Sequence, residues 1–434
     1  MLKHITNDAL RKEVEFYLNI YESFLDEIRH TGMELIADDD SAERTRLVAE
    51  LQSLGVKLRN SGKSLIWGNI SPSCEHCVTG EGSATFIVSL KCNRDCFFCT
   101  NKNQYDYAHH NDRVNDIISE YNSKAKRYAS MNSAAITGGE PLLFVDECVK
   151  FIKHAKKRSK DVQTRIYTNG DLATEAVLQR LAEAGLDEIR FGLKPNDDGQ
   201  VGEAVLKNLK NAVKHIPRAM VEMPVEPGES KLEQMKVLLD KLEAIGIYGI
   251  NILEFLFPWV HVKEYKEAGF RVTQRPYKLL YDYDYAGGVS VAGSELNCLK
   301  LLQHAAQNNF KMGVHYCSLE NKLTAQVWHH NSRFKKTPLE YFSPNDFFVK
   351  TAKAYGEDAN IVKERLDEHK VAHYTYNKSA EFIEFAVTDI PLLKGLNKEI
   401  GISTMILDYD EEQTFIREIA VVAIDTESFN LAEL

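Results

Sequence analysis

The feature that most constrains this chain is a change of rhythm at Ser83. From there to about residue 255, short apolar runs of strand length alternate with amphipathic stretches of helix length. Six runs read as strands: 84–88, 134–137, 164–167, 188–191, 220–223 and 249–253. Strands separated by helices pair in parallel, because each helix carries the chain back to where the next strand must start. Six such units predict an α/β architecture, a partial (β/α)6 barrel, with its chemistry at the C-terminal ends of the strands. Among the intervening helices, one is predicted from Ser230, where Ser230 and Glu233 form a capping box and Leu232, Met235, Leu239 and Leu242 its buried face. Another is predicted from Asp171 to Gly185.

The flanks follow other rules. Leu10, Val14, Leu18, Tyr21, Leu25 and Ile28 recur at helical steps, predicting a helix over 8–30. A second is expected over 41–58. Beyond residue 335, helices over 345–354 and 360–369 are expected to precede strands at 371–376 and 381–387. A further helix and strands at 403–409 and 417–424 complete a small α+β domain, ferredoxin-like in preference to winged-helix-like. The expected divisions are an N-terminal helical segment 1–70, a barrel 71–334 and a C-terminal domain 335–434.

A formal net charge of -10 argues against bulk electrostatic binding of nucleic acid. The densest basic run, Lys153, Lys156, Lys157, Arg158 and Lys160, falls at a predicted helix end, where cations offset the dipole. No apolar run approaches the ~20 residues of a membrane span. Met1-Leu2-Lys3-His4 has no signal-peptide core, so a cytoplasmic setting without a membrane partner is expected. Thiols stay reduced there, and of 8 cysteines five cluster from Cys74 to Cys99, which points to metal ligands rather than disulfides.

Cys92, Cys96 and Cys99 follow the first strand within a few residues and so sit at its C-terminal end. Three thiolates at this spacing suit three irons of a [4Fe–4S] cubane, leaving the fourth iron open to an external ligand. A zinc knot or a buried helix face are the alternatives, and the missing fourth cysteine makes a closed zinc site awkward.

The CxxxCxxC spacing, with aromatic Phe98 before the third cysteine, resembles the signature of the radical S-adenosylmethionine (radical SAM) superfamily. Thr137-Gly138-Gly139-Glu140-Pro141, after the second strand, is similar to that family's GGEP motif, and Tyr167-Thr168-Asn169-Gly170 to its strand-end TNG element. The resemblance covers about residues 83–255. It implies a [4Fe–4S] cluster whose open iron binds the methionine end of S-adenosylmethionine. It also implies reductive cleavage to a 5′-deoxyadenosyl radical and hydrogen abstraction from a substrate. On this resemblance Phe98, Gly138, Gly139, Glu140, Pro141, Thr168 and Asn169 are candidate cofactor contacts. Arg190 and Lys194 at the fourth strand, Glu222 in the fifth and Asn251 in the sixth join them as polar groups able to face the barrel interior.

Cys74 and Cys77 precede the first strand, whose seven or so residues span roughly 20 Å. They therefore cannot share the main cluster. With Cys298 and Cys317, and His315 and His76 in reserve, they could hold a second [4Fe–4S] cluster or a zinc ion, or remain unliganded thiols. Cys148 reads as core. The aromatic stretches 105–107 and 281–285 could line a substrate mouth.

The catalytic hydrogen-transfer residue is not legible. The substrate expected is a peptide or protein, such as a ribosomal precursor peptide, because the flanking domains could dock a chain beside an open-sided barrel. The rivals are a small metabolite or nucleoside, or glycyl-radical activation of a partner enzyme. A flavodoxin or ferredoxin is expected as electron donor.

Overall fold

A computed structural model describes residues 2–37, 40–103, 107–127, 130–194, 201–274, 288–333, 335–409 and 414–434. The stretch 281–285 and residues 105–106 lie outside them. The chain forms two compact units, one of Arg29–Pro276 with Asp284–Leu323, the other of Met1–Ile28 with Thr324–Leu434. Residues 1–70, expected as one segment, are thus shared between the two.

The larger unit is the expected barrel. Strands β1 (Ser83–Ser89), β2 (Ser133–Gly138), β3 (Gln163–Thr168), β4 (Glu188–Gly192), β5 (Arg218–Val225) and β6 (Gly249–Glu254) lie side by side in chain order, all parallel. A seventh parallel strand not foreseen in the sequence, β7 (Gly313–Cys317), pairs with β6. An antiparallel hairpin, Lys57–Arg59 with Ser64–Trp67, extends the sheet beyond β7. The helix expected over 41–58 accordingly stops at Ser53. Apolar faces of the sheet and of the helices Val145–Arg158, Glu175–Ala184, Glu203–His215, Glu229–Ile245 and Ser294–Gln307 share one core, with Phe86, Ile136, Ile166, Phe191, Val221 and Ile250 fully covered. At about 25 cal/mol per Å² of apolar surface, that burial is the main force holding the helices to the sheet.

Two helix starts differ from expectation. The helix ending at Gly185 begins at Glu175, because Thr174 caps it by accepting from Val177 N, which frees Asp171 for another role. The helix expected from Ser230 begins at Glu229 behind Gly228, so Ser230 lies inside the first turn rather than at the cap. Gly185 and Gly246 close these two helices in the left-handed conformation, at φ 93° and 78°.

In the smaller unit, the segment 345–354 expected as a helix is instead strand β8 (Val349–Tyr355). With β9 (Tyr374–Asn377), β10 (Phe382–Phe385), β11 (Glu399–Tyr409) and β12 (Thr414–Asp425) it forms an antiparallel sheet in the order β9-β10-β8-β11-β12. The first four strands have the split βαβ order of a ferredoxin-like domain, with helix Glu357–Glu368 between β8 and β9. Ile5, Leu10, Val14 and Tyr17 pack against Tyr355 and Val421 of this unit.

Candidate active site

The loop after β1 brings Cys92, Cys96 and Cys99 to one wall of a cavity of about 1090 Å³. Phe98, Gly138, Gly139, Pro141, Thr168, Asn169, Lys194 and Glu222 line the same cavity. Burial pushes the Cys96 and Cys99 thiols up, and their neighbouring cysteines reinforce this. Arg94 and Lys194 pull Cys96 the other way. A cation bound between such thiols would reverse this balance by holding them as thiolates.

The glycine pair is required by close packing of backbone on backbone. A Cβ on Gly138 would lie 2.0 Å from the Ser89 carbonyl oxygen, and one on Gly139 2.2 Å from that of Lys91. Gly139 N and Glu140 N donate to Ser89 O and Lys91 O at 2.9 and 2.8 Å. The end of β2 is thereby stitched to the start of the cysteine loop. Glu140, in contrast, does not line the cavity. It is fully buried, and its carboxylate accepts from Leu142 N at 3.0 Å, Thr168 Oγ1 at 2.8 Å and Asn169 N at 2.7 Å. Burial raises its pKa against the pull of those three bonds. Its role in this structure is to tie the β2 end to the β3 end.

From the β3 end, Asn169 and Asp171 grip the cysteine loop. Asn169 Nδ2 donates to Asn93 Oδ1 at 2.7 Å, and Asn93 Nδ2 to Asp171 Oδ2 at 3.0 Å. Arg94 closes a two-point pair on Asp171, at 2.7 Å from Nε and 2.5 Å from Nη2. Sequence reasoning misses this role of Asp171: its only signal is a carboxylate two residues past Asn169, a position that reads as a helix cap.

Lys194 is held by Glu226 at 3.0 Å and lies over the rings of Phe97 and Phe98, 4.2 and 4.8 Å from their centroids. Phe98 packs on Phe255, which also lines the cavity, with centroids 5.8 Å apart. One side of the cavity is therefore cationic and aromatic.

Beneath the cavity the barrel interior carries a buried ionic cluster. Arg190, 2% exposed, donates from Nε to Glu188 at 2.6 Å, from Nη1 to Glu222 at 2.9 Å and from Nη2 to the sulfur of Cys74 at 3.1 Å. Asn251 Nδ2 reaches Glu222 at 3.3 Å and Cys74 at 3.6 Å, and its Oδ1 lies 3.0 Å from His315 Nδ1. Burial, the largest single influence, would raise the Cys74 thiol; Arg190, His315 and Arg165 together outweigh it and bring it down to about 5. Burial likewise opposes ionisation of Glu188 and Glu222, and Arg190 holds both below their ordinary value. Of the candidate cofactor contacts, Arg190 and Asn251 thus lie in this buried layer and off the cavity lining. Only Glu222 belongs to both.

Cys74 and Cys77 lie in the turns before β1, at the barrel end away from the cysteine loop. Burial pushes the thiol of Cys317, at the end of β7, up to about 12; Lys322 opposes this, and Cys77 and Cys74 add to it. Cys298 sits elsewhere, on the helix Ser294–Gln307 in the core between helices and sheet. His315 spends both ring nitrogens on Ser64 and Asn251, at 2.7 and 3.0 Å. His76 is in the turn beside Cys77 and lines a separate shallow pocket with Glu75 and Glu81. Among the described residues no three His, Cys, Asp or Glu side chains are poised to hold a metal ion. This applies to Cys92, Cys96 and Cys99 as well, so those thiols would have to close on a cluster. Cys148 is in the core, as expected.

Fold and site together define a class of protein, an α/β partial barrel whose strand ends present three cysteine thiols beside a glycine-rich turn. Residues 86–242 match the model of the Radical SAM superfamily. That stretch is a radical SAM domain, of a family of enzymes that work with S-adenosylmethionine and a [4Fe–4S] cluster. The donor set fits both: three thiols line one cavity, beside a side that is cationic and aromatic. The chain is 26% identical over 329 residues to a Methanocaldococcus jannaschii protein whose name puts it forward as a glycyl-radical enzyme activating enzyme. That match covers 73% of this chain and 83% of the relative. Over 184 residues it is 29% identical to a Methanococcus aeolicus protein named as a candidate GTP 3′,8-cyclase, covering 40% of this chain and 59% of that one. Among solved structures, Streptococcus suis SuiB bound to precursor peptide SuiA aligns at 15% identity and a TM-score of 0.40. It covers 68% of this chain, which spans 56% of SuiB. No helix among the described residues is long and apolar enough to cross a membrane.

Proposed function

We propose that this radical SAM enzyme takes hydrogen from a polypeptide. Cys92, Cys96 and Cys99 would hold the cluster, which when bound supplies reductive cleavage of the S-adenosylmethionine sulfonium. The chain's own residues do the positioning. Asn169 and Asp171 hold the cysteine loop through Asn93 and Arg94. Gly138 and Gly139 let the β2 end pack directly on the backbone of Ser89, Leu90 and Lys91, which fixes the start of the cysteine loop. Lys194 sets a cation beside Cys96, and Phe98 with Phe255 walls the cavity against water.

The observation that carries the polypeptide reading is the size of the cavity. At about 1090 Å³ it reaches from the cysteine loop to Lys322 beyond β7. Small-ligand sites commonly span ~300–1,000 Å³, so there is room for a segment of a longer substrate beside the cofactor. The long match to a relative named for activating a glycyl-radical enzyme, a reaction on a protein, supports the same reading. Glycyl-radical activation is one form of it. A flavodoxin- or ferredoxin-type electron donor and a cytoplasmic setting belong to the same proposal.

The test is deuterium transfer. Reconstituted, reduced enzyme with S-adenosylmethionine is given a perdeuterated cell extract, split by ultrafiltration into polypeptide pool and small-molecule filtrate. Deuterium in the 5′-deoxyadenosine should come from the polypeptide pool and disappear after protease treatment. Transfer from the filtrate alone would favour the metabolite or nucleoside reading. A glycyl-type doublet in the electron paramagnetic resonance spectrum would specify activation.

A further inference from the structure

Among the described residues three cations line the cavity, and two of them are engaged. Arg94 is paired with Asp171 and Lys194 with Glu226, and both act on the thiol of Cys96. The third, Lys322, is half-buried in the first turn after β7, and among the described residues its ammonium has no hydrogen bond or ion pair. Its field falls on Glu222, Cys77 and Cys317 instead of on the cluster thiols. It follows β7, which β2 to β6 separate from β1 and its cysteine loop in the sheet, and so lies on the side left for substrate.

The nearby carboxylate does not quench it. Glu222 is turned to the barrel floor, where Oε2 takes bonds from Arg190 at 2.9 Å and Asn251 at 3.3 Å. Arg190 is itself fixed by Glu188 and Cys74, so Glu222 cannot swing to Lys322 without leaving a buried guanidinium short of a partner. A ligand filling this aromatic-walled cavity would strip water from Lys322. That costs free energy unless the ligand brings an anion of its own. A polypeptide offers the matching set at one residue: a carboxylate for the ammonium and a backbone N–H for the fixed acceptor Glu222.

We propose that Lys322 and Glu222 form the recognition pair for the substrate, Lys322 binding a carboxylate of the polypeptide and Glu222 an adjacent N–H. This rests on the polypeptide reading above and adds the chemistry of the segment that enters.

The holoenzyme is tested with the same perdeuterated polypeptide pool. K322M should lower deuterium transfer into 5′-deoxyadenosine by at least about tenfold, the effect of losing a charge-assisted bond, and K322R should keep most of it. Methyl esterification of the pool's carboxylates should lower wild-type transfer in the same way. K322E should transfer more from a pool whose carboxylates are amidated with ethylenediamine than from the native pool, a gain that a misfolded variant cannot show. Equal transfer by wild type and K322M, or undiminished transfer from the esterified pool, overturns the proposal. A wild-type enzyme that takes deuterium only from the small-molecule filtrate overturns the polypeptide reading itself, so the two failures are distinct.

Discussion

Arg190 donates a hydrogen bond to the sulfur of Cys74 across 3.1 Å, joining residues 116 apart in the chain. A guanidinium in that position supplies the positive charge that a metal ion would otherwise bring. It offers Cys74 a partner other than a metal. Cys74 belongs to an ionic layer under the cavity, together with Glu188, Glu222 and Asn251.

Metal counting tests this directly. Anaerobically reconstituted protein is expected to hold about four irons per chain. The C74A/C77A variant should keep that iron, and neither protein should carry stoichiometric zinc. Replacing Cys92, Cys96 and Cys99 together should abolish both the iron and the cleavage of S-adenosylmethionine.

Removing the hub of the layer should be costly. Arg190→Met leaves Glu188, Glu222 and Cys74 without their shared cation. Denaturant unfolding should show a loss of about 3–5 kcal/mol, the usual effect of breaking a buried ion pair from one side.

The same layer predicts an acid dependence. Arg190 and Arg165 hold Glu188 below its ordinary 4.5 against the effect of burial. A depressed carboxylate stabilises the fold fully above its unfolded value and loses that contribution as pH falls through its folded value. The stability gap between wild type and E188Q should therefore be constant above about pH 4.5 and shrink below it, as read from unfolding midpoints across pH.

Asp171→Ala should loosen the cysteine loop while sparing the barrel. The pair with Arg94 is about one-third exposed, so global stability should change little. Iron loss to a chelator, followed by absorbance, should become severalfold faster.

Gly139→Ala would drive a Cβ to 2.2 Å from Lys91 O and 2.3 Å from Leu90 O. Relief requires the β2 end and the cysteine loop to part. About 1–3 kcal/mol of stability should be lost, along with cofactor binding measured by equilibrium dialysis.

The sequence alone determined what is local. The spacing of Cys92, Cys96 and Cys99 lies within one loop, and strand and helix periods repeat within a few residues, so the six parallel strands and the cysteine-bearing strand end were legible. Tertiary structure decided what depends on sheet order. The segment Val349–Tyr355, rich in Ala and Lys, has helical propensity, yet it lies between β10 and β11, whose ladders outweigh that preference. Asp171 became a clamp only because the loop after β1 carries Arg94 to the β3 end, and Cys74 the partner of a buried arginine only because β4 places Arg190 beside it. No pattern of neighbours in the chain encodes a contact between residues brought together by separate strands.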